Sequence, residues 1–348
     1  MRTREDLERL LRASGIPWRA IEHGAHWVIV VPALGARILG AGIGPENALW
    51  VAPTLSTGGW DAGGNAGGQR TWIAPETGPR GFFFGAGWSV PVALDPGDYR
   101  PAPAPPGWLG FRSALIARAA DGHQFPIALT RRVSLEPPSD AAPDVLRIRF
   151  QHELENTDTS ALRSRVGLWS IIQLPCETKG IVIFRLTDDA AKAGLLPRPY
   201  FTALPPDVLR TAASTSLLSV EGGRTYKVGV PAAGCAGVVA FLRRARVDGT
   251  GPRWMLTAQK FAVDPAGTYL DMPEPASGGN GDAAQAYNDS ATGEKAFCEI
   301  EAHAPAVDLP PGARQEAEIE MVVARAETDR MERLLSEELG IEAEVPPA

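Results

Sequence analysis

The chain has 348 residues, of which 44% are hydrophobic and 22% are charged, and its formal net charge at pH 7 is −7. This composition is ordinary for a globular protein with a large core, and the length is compatible with one long all-β domain. An acidic chain is poorly suited to nucleic acid, which attracts basic surfaces. No run of about 18 apolar residues predicts a membrane span. We therefore expect neither nucleic acid nor a membrane as a partner.

The cysteines and the first residues bear on cofactors and compartment. Cys176, Cys235 and Cys298 are far apart in sequence and have no metal-ligand spacing. We expect buried free thiols, no bound metal and no other cofactor. Residues 1–11 contain charges throughout and lack the apolar segment of a signal peptide. A cytoplasmic protein is the expectation, although a secreted chain trimmed of its leader would have the same N-terminus.

Helix signals occur at the two ends of the chain, and strand signals fill the middle. Thr3 and Thr328 are suited to cap short helices, and Gly340 is suited to end the second. Apolar and polar residues alternate in many short runs, which predicts strands. The predicted strands are 26–31, 36–39, 49–51, 69–74, 110–118, 127–135, 145–154, 163–174, 181–186, 225–230, 238–243, 254–263, 296–302 and 317–325. Two segments rich in turn-forming residues, 91–107 and 271–291, are predicted to be irregular.

This order of elements predicts one domain over residues 1–348. A helix at 3–14 would precede a large antiparallel β-sandwich at 18–325, and a second helix at 328–340 would follow it. The alternation of strands and helices that is typical of parallel sheets is absent.

The first candidate for a binding surface is the glycine-rich stretch at 63–80. Four glycines within six residues predict a loop that turns tightly or approaches another segment closely. Alternation along the following strand places Arg70, Trp72 and Glu76 on one face. A guanidinium, an indole and a carboxylate on one face suit a polar, flat-faced ligand such as a sugar. An Arg70–Glu76 pair packed on Trp72 as a structural clamp fits the same pattern.

The second candidate surface is the predicted strand at 163–174. Alternation places Arg163, Arg165 and Trp169 on the face opposite to the core. Two arginines and a tryptophan suit a polyhydroxylated or anionic ligand. The alternative is an ordinary sheet face whose tryptophan is covered by a long loop.

The predicted strand at 296–302 carries the strongest candidate for acid–base chemistry. Phe297, Glu299, Glu301 and His303 share one face, and the two carboxylates are about 7 Å apart along an extended strand. If that face is enclosed, mutual repulsion favours a proton on one of them. The alternative is an open, solvated strand face.

Other polar groups favour structural interpretations. His23 and His26 have opposite parity on a strand, which argues against a metal site. His152 lies on the apolar face of its strand, so we expect a core histidine that is hydrogen-bonded to the backbone. The acidic residues within 271–291 show no ordered ligand spacing, and solvated turns are expected there rather than a calcium site.

Several motifs resemble those of proteins with the galactose mutarotase-like β-supersandwich. Gly-Gly-Gln-Arg-Thr-Trp-Ile-Ala-Pro-Glu at 67–76 is similar to their Gly-Gly-x-x-x-Trp-x-x-Pro-Glu stretch. The hairpin beginning at Gly35 resembles theirs as well. The blocks at 154–171, 287–289 and 297–306 are most similar to those of an uncharacterised bacterial family in this superfamily. The resemblance spans residues 20–325. It implies two stacked sheets, with a small sugar, a sugar-like molecule or an oligosaccharide bound on the concave sheet.

The aldose 1-epimerases of this superfamily use a histidine acid and a glutamate base. Where they carry that histidine, this chain has Arg165-Val-Gly-Leu-Trp169. The resemblance implies Glu299 or Glu301 as the glutamate, and it leaves the proton donor open.

The favoured hypothesis is a sugar epimerase or mutarotase that uses carboxylate acid–base chemistry. One alternative is a carbohydrate-binding protein without activity. Another is a lyase on uronic-acid sugars, in which Arg163 and Arg165 neutralise the substrate carboxylate and Tyr287 or Lys260 takes the proton. The candidate catalytic residues are Glu299 as the base, Glu301 and His123. The candidate binding residues are Arg70, Trp72, Glu76, Arg165, Trp169, Lys260, Tyr287 and Asn288.

Overall fold

The structure is a computed structural model that describes residues 2–58, 64–83, 88–162, 165–201, 203–246, 253–271 and 280–345. Some residues that entered the sequence predictions lie outside the described residues. These are Gly63 of the glycine-rich stretch, Arg163 and the residue after it in the strand predicted at 163–174, and residues 272–279 of the segment predicted to be irregular.

The described chain contains a helix near each end and a series of strands between them. The elements in chain order are α1 (Arg4–Ala13), β1 (Arg19–His23), β2 (His26–Val31), β3 (Arg37–Ile43), β4 (Gln69–Ala74), β5 (Arg100–Pro101), β6 (Trp108–Arg118), β7 (Gln124–Leu135), β8 (Val145–Asn156), β9 (Gly167–Pro175), β10 (Gly180–Leu186), β11 (Arg198–Pro199), β12 (Leu209–Ala212), β13 (Thr215–Val220), β14 (Tyr226–Pro231), β15 (Cys235–Arg244), β16 (Trp254–Phe261), β17 (Asp282–Asn288), β18 (Phe297–His303), β19 (Arg314–Ala326) and α2 (Thr328–Leu339).

The described strands form two sheets. The nine-stranded sheet has the order β1-β2-β3-β4-β9-β18-β17-β14-β11, and the ten-stranded sheet has the order β12-β13-β10-β15-β16-β19-β8-β7-β6-β5. The paired strands at the centre of each sheet run antiparallel. The predicted all-β antiparallel fold with a helix at each end is therefore confirmed.

Alternation along the central strands determines which side chains face the second sheet. The Thr71 hydroxyl contacts the imidazole of His152, and the Ser170 hydroxyl donates a hydrogen bond of 2.8 Å to Gln259 of the ten-stranded sheet. Residues with the opposite parity on β4, β9 and β18 therefore point away from the second sheet. His152 is a core residue as predicted, but its partner is a hydroxyl rather than the backbone.

The helices cover apolar surface of the sheets. In α1, the Thr3 hydroxyl and the Asp6 carboxylate form the reciprocal bonds of a capping box, and Leu7 and Leu11 are buried against the nine-stranded sheet. Helix α2 packs on the outer side of the ten-stranded sheet. Its N-cap is Glu327 rather than the predicted Thr328, whose hydroxyl accepts a bond from the indole of Trp254. Within the described chain, neither α-helix is long and apolar enough to cross a membrane.

The clearest error in the predicted elements is the segment at 271–291. Residues Asp282–Asn288 of this segment form β17, which is paired on both sides by β14 and β18. This strand is rich in alanine, so its local propensity is weak, and pairing with two neighbours overrides it. The opposite error occurs at 49–51, where only an isolated bridge joins Val51 to Gly67.

The glycine-rich loop passes very close to neighbouring backbone. Gly67 and Gly68 have φ angles of +90° and +72°. A Cβ atom on Gly68 would lie 2.3 Å from the carbonyl oxygen of Ile38, and one on Gly67 would lie 2.3 Å from that of Trp50. Only glycine satisfies both requirements at these positions. The predicted tight turn and close approach are both present, and they place β4 against the rest of the sheet.

We expect Gly68→Ala to destabilise the protein by more than about 2 kcal/mol, because it combines a left-handed backbone with a clash against a main-chain oxygen. Gly44→Ala is the matched control, since Gly44 has a φ angle of +70° but its Cβ would meet no atom within 4 Å. The Gly44→Ala variant should lose only about 1–2 kcal/mol of unfolding free energy. Urea unfolding measures both losses, and equal losses would show that the close approach is unimportant.

Candidate functional site

A cavity of about 370 Å³ lies on the face of the nine-stranded sheet that points away from the other sheet. Strands β4, β9, β14, β17 and β18 and their adjoining loops supply its walls. Its lining combines aromatic, basic and acidic side chains: Arg70, Trp72, Glu76, Trp88, Trp169, Phe201, Lys227, Tyr287, Asp289, Phe297, Glu299 and Glu301.

The register of the three central strands brings these residues together. Trp72 of β4 is directly opposite Trp169 of β9, and Glu299 of β18 is directly opposite Gln173 of β9. Directly opposite side chains in an antiparallel pair are about 5 Å apart at Cβ. The alternate positions of the strands therefore gather indoles and carboxylates on one face.

Glu299 is held by two donors at the base of the cavity. Its Oε1 accepts a hydrogen bond of 2.8 Å from Arg70 Nη2 and another of 2.8 Å from Gln173 Nε2. The guanidinium of Arg70 lies over the ring of Trp72, with 4.1 Å between Cζ and the ring centroid. Glu299 is therefore fixed in position by charge-assisted hydrogen bonding.

Glu301 occupies a different environment two residues further along β18. Its Oε2 accepts a bond of 3.0 Å from Trp169 Nε1 and lies 3.2 Å from Lys227 Nζ. The side chain is fully buried, and Oε1 has no hydrogen-bond partner among the described residues. Burial, assisted by repulsion from Glu299 and opposed by Lys227, raises the pKa of Glu301 to about 7. This carboxyl therefore retains a proton at a pH where an ordinary glutamate is ionised.

Lys227 links two of the carboxylates. Its Nζ lies 3.2 Å from Glu301 and 3.8 Å from Glu76, and it lies 4.9 Å from the ring centroid of Trp169. Burial alone would lower the pKa of Lys227, but attraction to Glu301 and Glu76 outweighs burial and raises it. Lys227 is therefore a permanent cation that positions the acidic groups.

Aromatic rings form the walls. The rings of Trp72 and Trp169 meet edge to face with 5.3 Å between centroids. At the mouth, Trp88 Nε1 donates a bond of 2.7 Å to Glu76, and Phe201 is 56% exposed. The Tyr287 hydroxyl donates a bond of 3.0 Å to Asp289. The cavity thus has buried charges at its floor and exposed aromatic rings at its mouth.

His303 shares the face of Glu299 and Glu301 but does not line the cavity. Its ring stacks on Trp169, with 5.0 Å between centroids, and its Nε2 lies 4.0 Å from Glu301 Oε2. Burial and the nearby Lys227 cation keep the pKa of His303 well below its ordinary value. It is a neutral group behind the tryptophan wall.

The cavity unites seven of the predicted site residues: Arg70, Trp72, Glu76, Trp169, Tyr287, Glu299 and Glu301. Two structural interpretations of these residues, the Arg70–Glu76 clamp and the solvated strand face, disagree with the structure. Arg70 pairs with Glu299 rather than with Glu76, so the proposed clamp is wrong. Glu299 is 7% exposed and Glu301 is fully buried, so the solvated strand face is wrong as well.

Four predicted residues lie outside the cavity. His123 is in the turn between β6 and β7, where its Nδ1 lies 2.9 Å from Asp121. Lys260 is on β16 of the other sheet and pairs with Glu320 at 2.9 Å. Arg165 is half-exposed and contacts Asp308. The sequence does not show which sheet a strand joins, and this explains why Lys260 was grouped with the site.

Asn288 is the fourth predicted site residue that lies outside the cavity. It is fully buried and has the opposite parity to Tyr287 on β17, so it cannot line the cavity. Its Nδ2 donates bonds of 2.8 Å and 2.7 Å to the carbonyl oxygens of Glu221 and Arg224. Asn288 therefore supports the backbone of a neighbouring loop.

Sequence reasoning missed several residues of the cavity. The missed lining residues are Trp88, Phe201, Lys227, Asp289 and Phe297. Lys227 offered a signal, because it is the one charged side chain in the apolar alternation of β14. Trp88 and Phe201 lie outside the strands, where periodicity carries no information about partners.

Two other cavities of the described chain, one near Trp18 and one near His152, lack a pair of buried carboxylates. No group of three His, Cys, Asp or Glu side chains within the described ranges could hold a metal ion. The cavity near Trp18 and Tyr99 is a wider surface groove of about 490 Å³. Cys176, Cys235 and Cys298 are buried free thiols, as predicted.

Solved structures with the same fold support the architecture. A galactose mutarotase-like protein from Lactobacillus casei is 11% identical, with a TM-score of 0.51, and the alignment covers 88% of this chain and 100% of that one. The Slr1438 protein from Synechocystis sp. PCC 6803 is 11% identical, with a TM-score of 0.50, and the alignment covers 89% and 96% of the two chains. At these identities the likeness shows the fold alone. The predicted galactose mutarotase-like β-supersandwich is confirmed.

Comparison of sequences gives the family. No curated protein is significantly similar to this chain. Residues 12–345, almost the whole chain, match the family of unknown function DUF6786. The chain therefore belongs to this family of unknown function, DUF6786, and has the galactose mutarotase-like fold.

Proposed function

We propose that the cavity binds a reducing sugar and interconverts its anomers by carboxylate acid–base chemistry. The observation that carries this proposal is the contrast between Glu299 and Glu301. Glu299 accepts bonds from a guanidinium and an amide, which are suited to a carboxylate, whereas burial raises the pKa of Glu301 to about 7. Two carboxyl groups whose environments differ in this way are suited to act as base and acid.

In the proposed reaction, Glu299 takes the proton of the anomeric hydroxyl while Glu301 gives its proton to the ring oxygen. The bond between C1 and the ring oxygen breaks, and C1 becomes the aldehyde carbon of the open chain. Rotation about C1–C2 presents the other face of the carbonyl. Return of the two protons closes the ring as the other anomer. Nothing is oxidised or reduced, and both carboxyl groups return to their starting states.

The walls of the cavity suit the rest of a sugar. The indoles of Trp72 and Trp169 contribute apolar atoms to the lining, while Arg70 lies over the first ring and His303 stacks on the second. Glu76, Asp289 and Lys227 stand around them as acceptors and a donor for hydroxyl groups. Apolar walls with a few oriented polar groups are typical of small-molecule sites.

The role of the acid distinguishes this site from the histidine mechanism that the resemblance implied. His123 lies in a distant turn, and His303 is covered by Trp169. The five histidines all lie in the described part of the chain, and none of them lines the cavity. Glu301 is the group placed to take over the acid role, because acid–base duties can pass between residue types of suitable pKa.

A carbohydrate-binding protein without activity is the second candidate. The observation that favours it is that Glu299 and Glu301 each contact two donors of the protein. Groups held in this way can form a rigid binding platform. The lyase alternative gains no such support, since Arg165 lies outside the cavity and Arg163 lies outside the described residues.

Exchange of anomers measured by NMR separates the two candidates. Samples enriched in the α-anomers of glucose, galactose, mannose and N-acetylglucosamine would be followed with and without protein. A mutarotase should shorten the time to equilibrium for at least one sugar. Saturable binding by calorimetry without faster exchange would favour the binding protein. If no sugar binds or is exchanged, both candidates are wrong.

A further inference from the structure

Two aromatic side chains at the mouth of the cavity are unusually exposed. Trp88 is 49% exposed and Phe201 is 56% exposed, and both line the cavity. Among the described residues, the other large apolar side chains this exposed are Val92 and Ile116, which are aliphatic and lie outside the cavity. The exposed rings are therefore concentrated at the entrance to the site.

The indole of Trp88 is held in place. Its Nε1 donates a hydrogen bond of 2.7 Å to Glu76, and its ring is nearly parallel to that of Phe83, with an angle of 11° and 6.0 Å between centroids. An aromatic ring that is fixed at the surface loses little further freedom when a ligand stacks on it.

The charged groups lie deeper than the rings. Arg70, Lys227, Glu299 and Glu301 are each less than a tenth exposed. The proposed chemistry needs the anomeric carbon beside Glu299 and Glu301, so the reacting ring belongs on this floor. The mouth then faces whatever is attached to the far side of that ring.

We propose that the site takes the reducing end of an oligosaccharide, with the terminal ring on the floor and the next ring against Trp88 and Phe201. This inference rests on the proposed function and adds the size of the substrate to it. The C–H face of a second pyranose ring matches an aromatic surface, while its hydroxyl edges stay in water at the open mouth.

Calorimetry with matched sugars tests the proposal. Glucose is compared with maltose, cellobiose and lactose. Galactose is compared with galactobiose, mannose with mannobiose, and N-acetylglucosamine with chitobiose. Each disaccharide has the same reducing ring as its monosaccharide partner. For the ring that binds, we expect at least one disaccharide to bind about tenfold more tightly.

Variants of Phe201 show whether stacking causes that preference. Phe201→Ala and Phe201→Leu should each reduce the ratio of the two dissociation constants about two- to tenfold, whereas Phe201→Trp should keep it. Trp88→Ala should reduce the ratio as well. Ile116→Ala removes an equally exposed apolar side chain elsewhere, and its ratio should equal that of the unmodified protein.

Each result has a distinct meaning. If monosaccharides bind as tightly as every disaccharide, the second ring has no site and the inference is wrong, while the proposed function stands. If Phe201→Leu keeps the full preference, the mouth does not act by aromatic stacking and the inference is wrong in that form. If none of the sugars binds, the proposed function fails and the inference fails with it.

Discussion

Replacing Glu299 by glutamine is expected to slow anomer exchange at least a hundredfold. The amide oxygen of the introduced side chain can still accept the bonds that Arg70 and Gln173 donate at 2.8 Å, so the geometry of the floor is kept. The amide cannot take the proton of the anomeric hydroxyl, and the base is lost. NMR exchange rates with saturating sugar measure the effect.

The variant also removes one charge of a buried ion pair, so stability needs its own control. Glu46 provides a match, because it is 3% exposed and its carboxylate lies 2.9 Å from Arg243, outside the cavity. Glu46→Gln and Glu299→Gln should each cost up to about 3 kcal/mol of unfolding free energy. Only Glu299→Gln should lose exchange. Full exchange in Glu299→Gln would remove this residue from the mechanism.

Anomer exchange should fall as the pH rises above about 7. The acid must carry a proton, and burial raises the pKa of Glu301 to about 7, so the protonated fraction decreases roughly tenfold per pH unit beyond that point. At pH 9 the rate should be about one hundredth of its value near pH 6. The measurement is the exchange rate from pH 5.5 to 9, corrected at each pH for the spontaneous reaction.

The Glu301→Gln variant tests whether Glu301 causes the fall of the exchange rate above pH 7. The variant should exchange slowly at every pH, and the fall above neutrality should disappear because no titrating acid remains. Its Trp169 contact can persist, since an amide oxygen also accepts the indole bond of 3.0 Å. A corrected rate that rises steadily from pH 7 to 9 in the unmodified protein would contradict the role of Glu301.

The strands of the sheets could largely be predicted because alternation is a local signal. The strand predicted at 26–31 coincides with β2, and the one predicted at 145–154 lies within β8. The prediction of strands failed where pairing between strands outweighs the local β-propensity of the residues. β17 consists mostly of small and polar residues and owes its existence to the strands on both of its sides.

Part of the site could be predicted, because four of its residues lie in two segments with a clear sequence pattern. Arg70 and Trp72 follow a glycine-rich loop, and Glu299 and Glu301 alternate on one strand, so parity placed each pair correctly. Alternation along single strands did not reveal that Lys227 lies beside these residues in the cavity. That inference requires knowing that β14 and β18 lie on either side of β17. Lys260 was included for the chemistry of its side chain alone, and the sequence did not show that β16 belongs to the other sheet.

The contact between Arg70 and Glu299 joins residues 229 positions apart, and the bond from Trp169 to Glu301 joins residues 132 apart. Such pairs form only after long chain loops have closed, so the pocket completes when the whole sheet has assembled. A partly folded chain would have no affinity for a sugar. A genuine ligand should therefore raise the melting temperature of the entire molecule in proportion to the logarithm of its concentration, which makes thermal shift a direct screen for the unknown substrate.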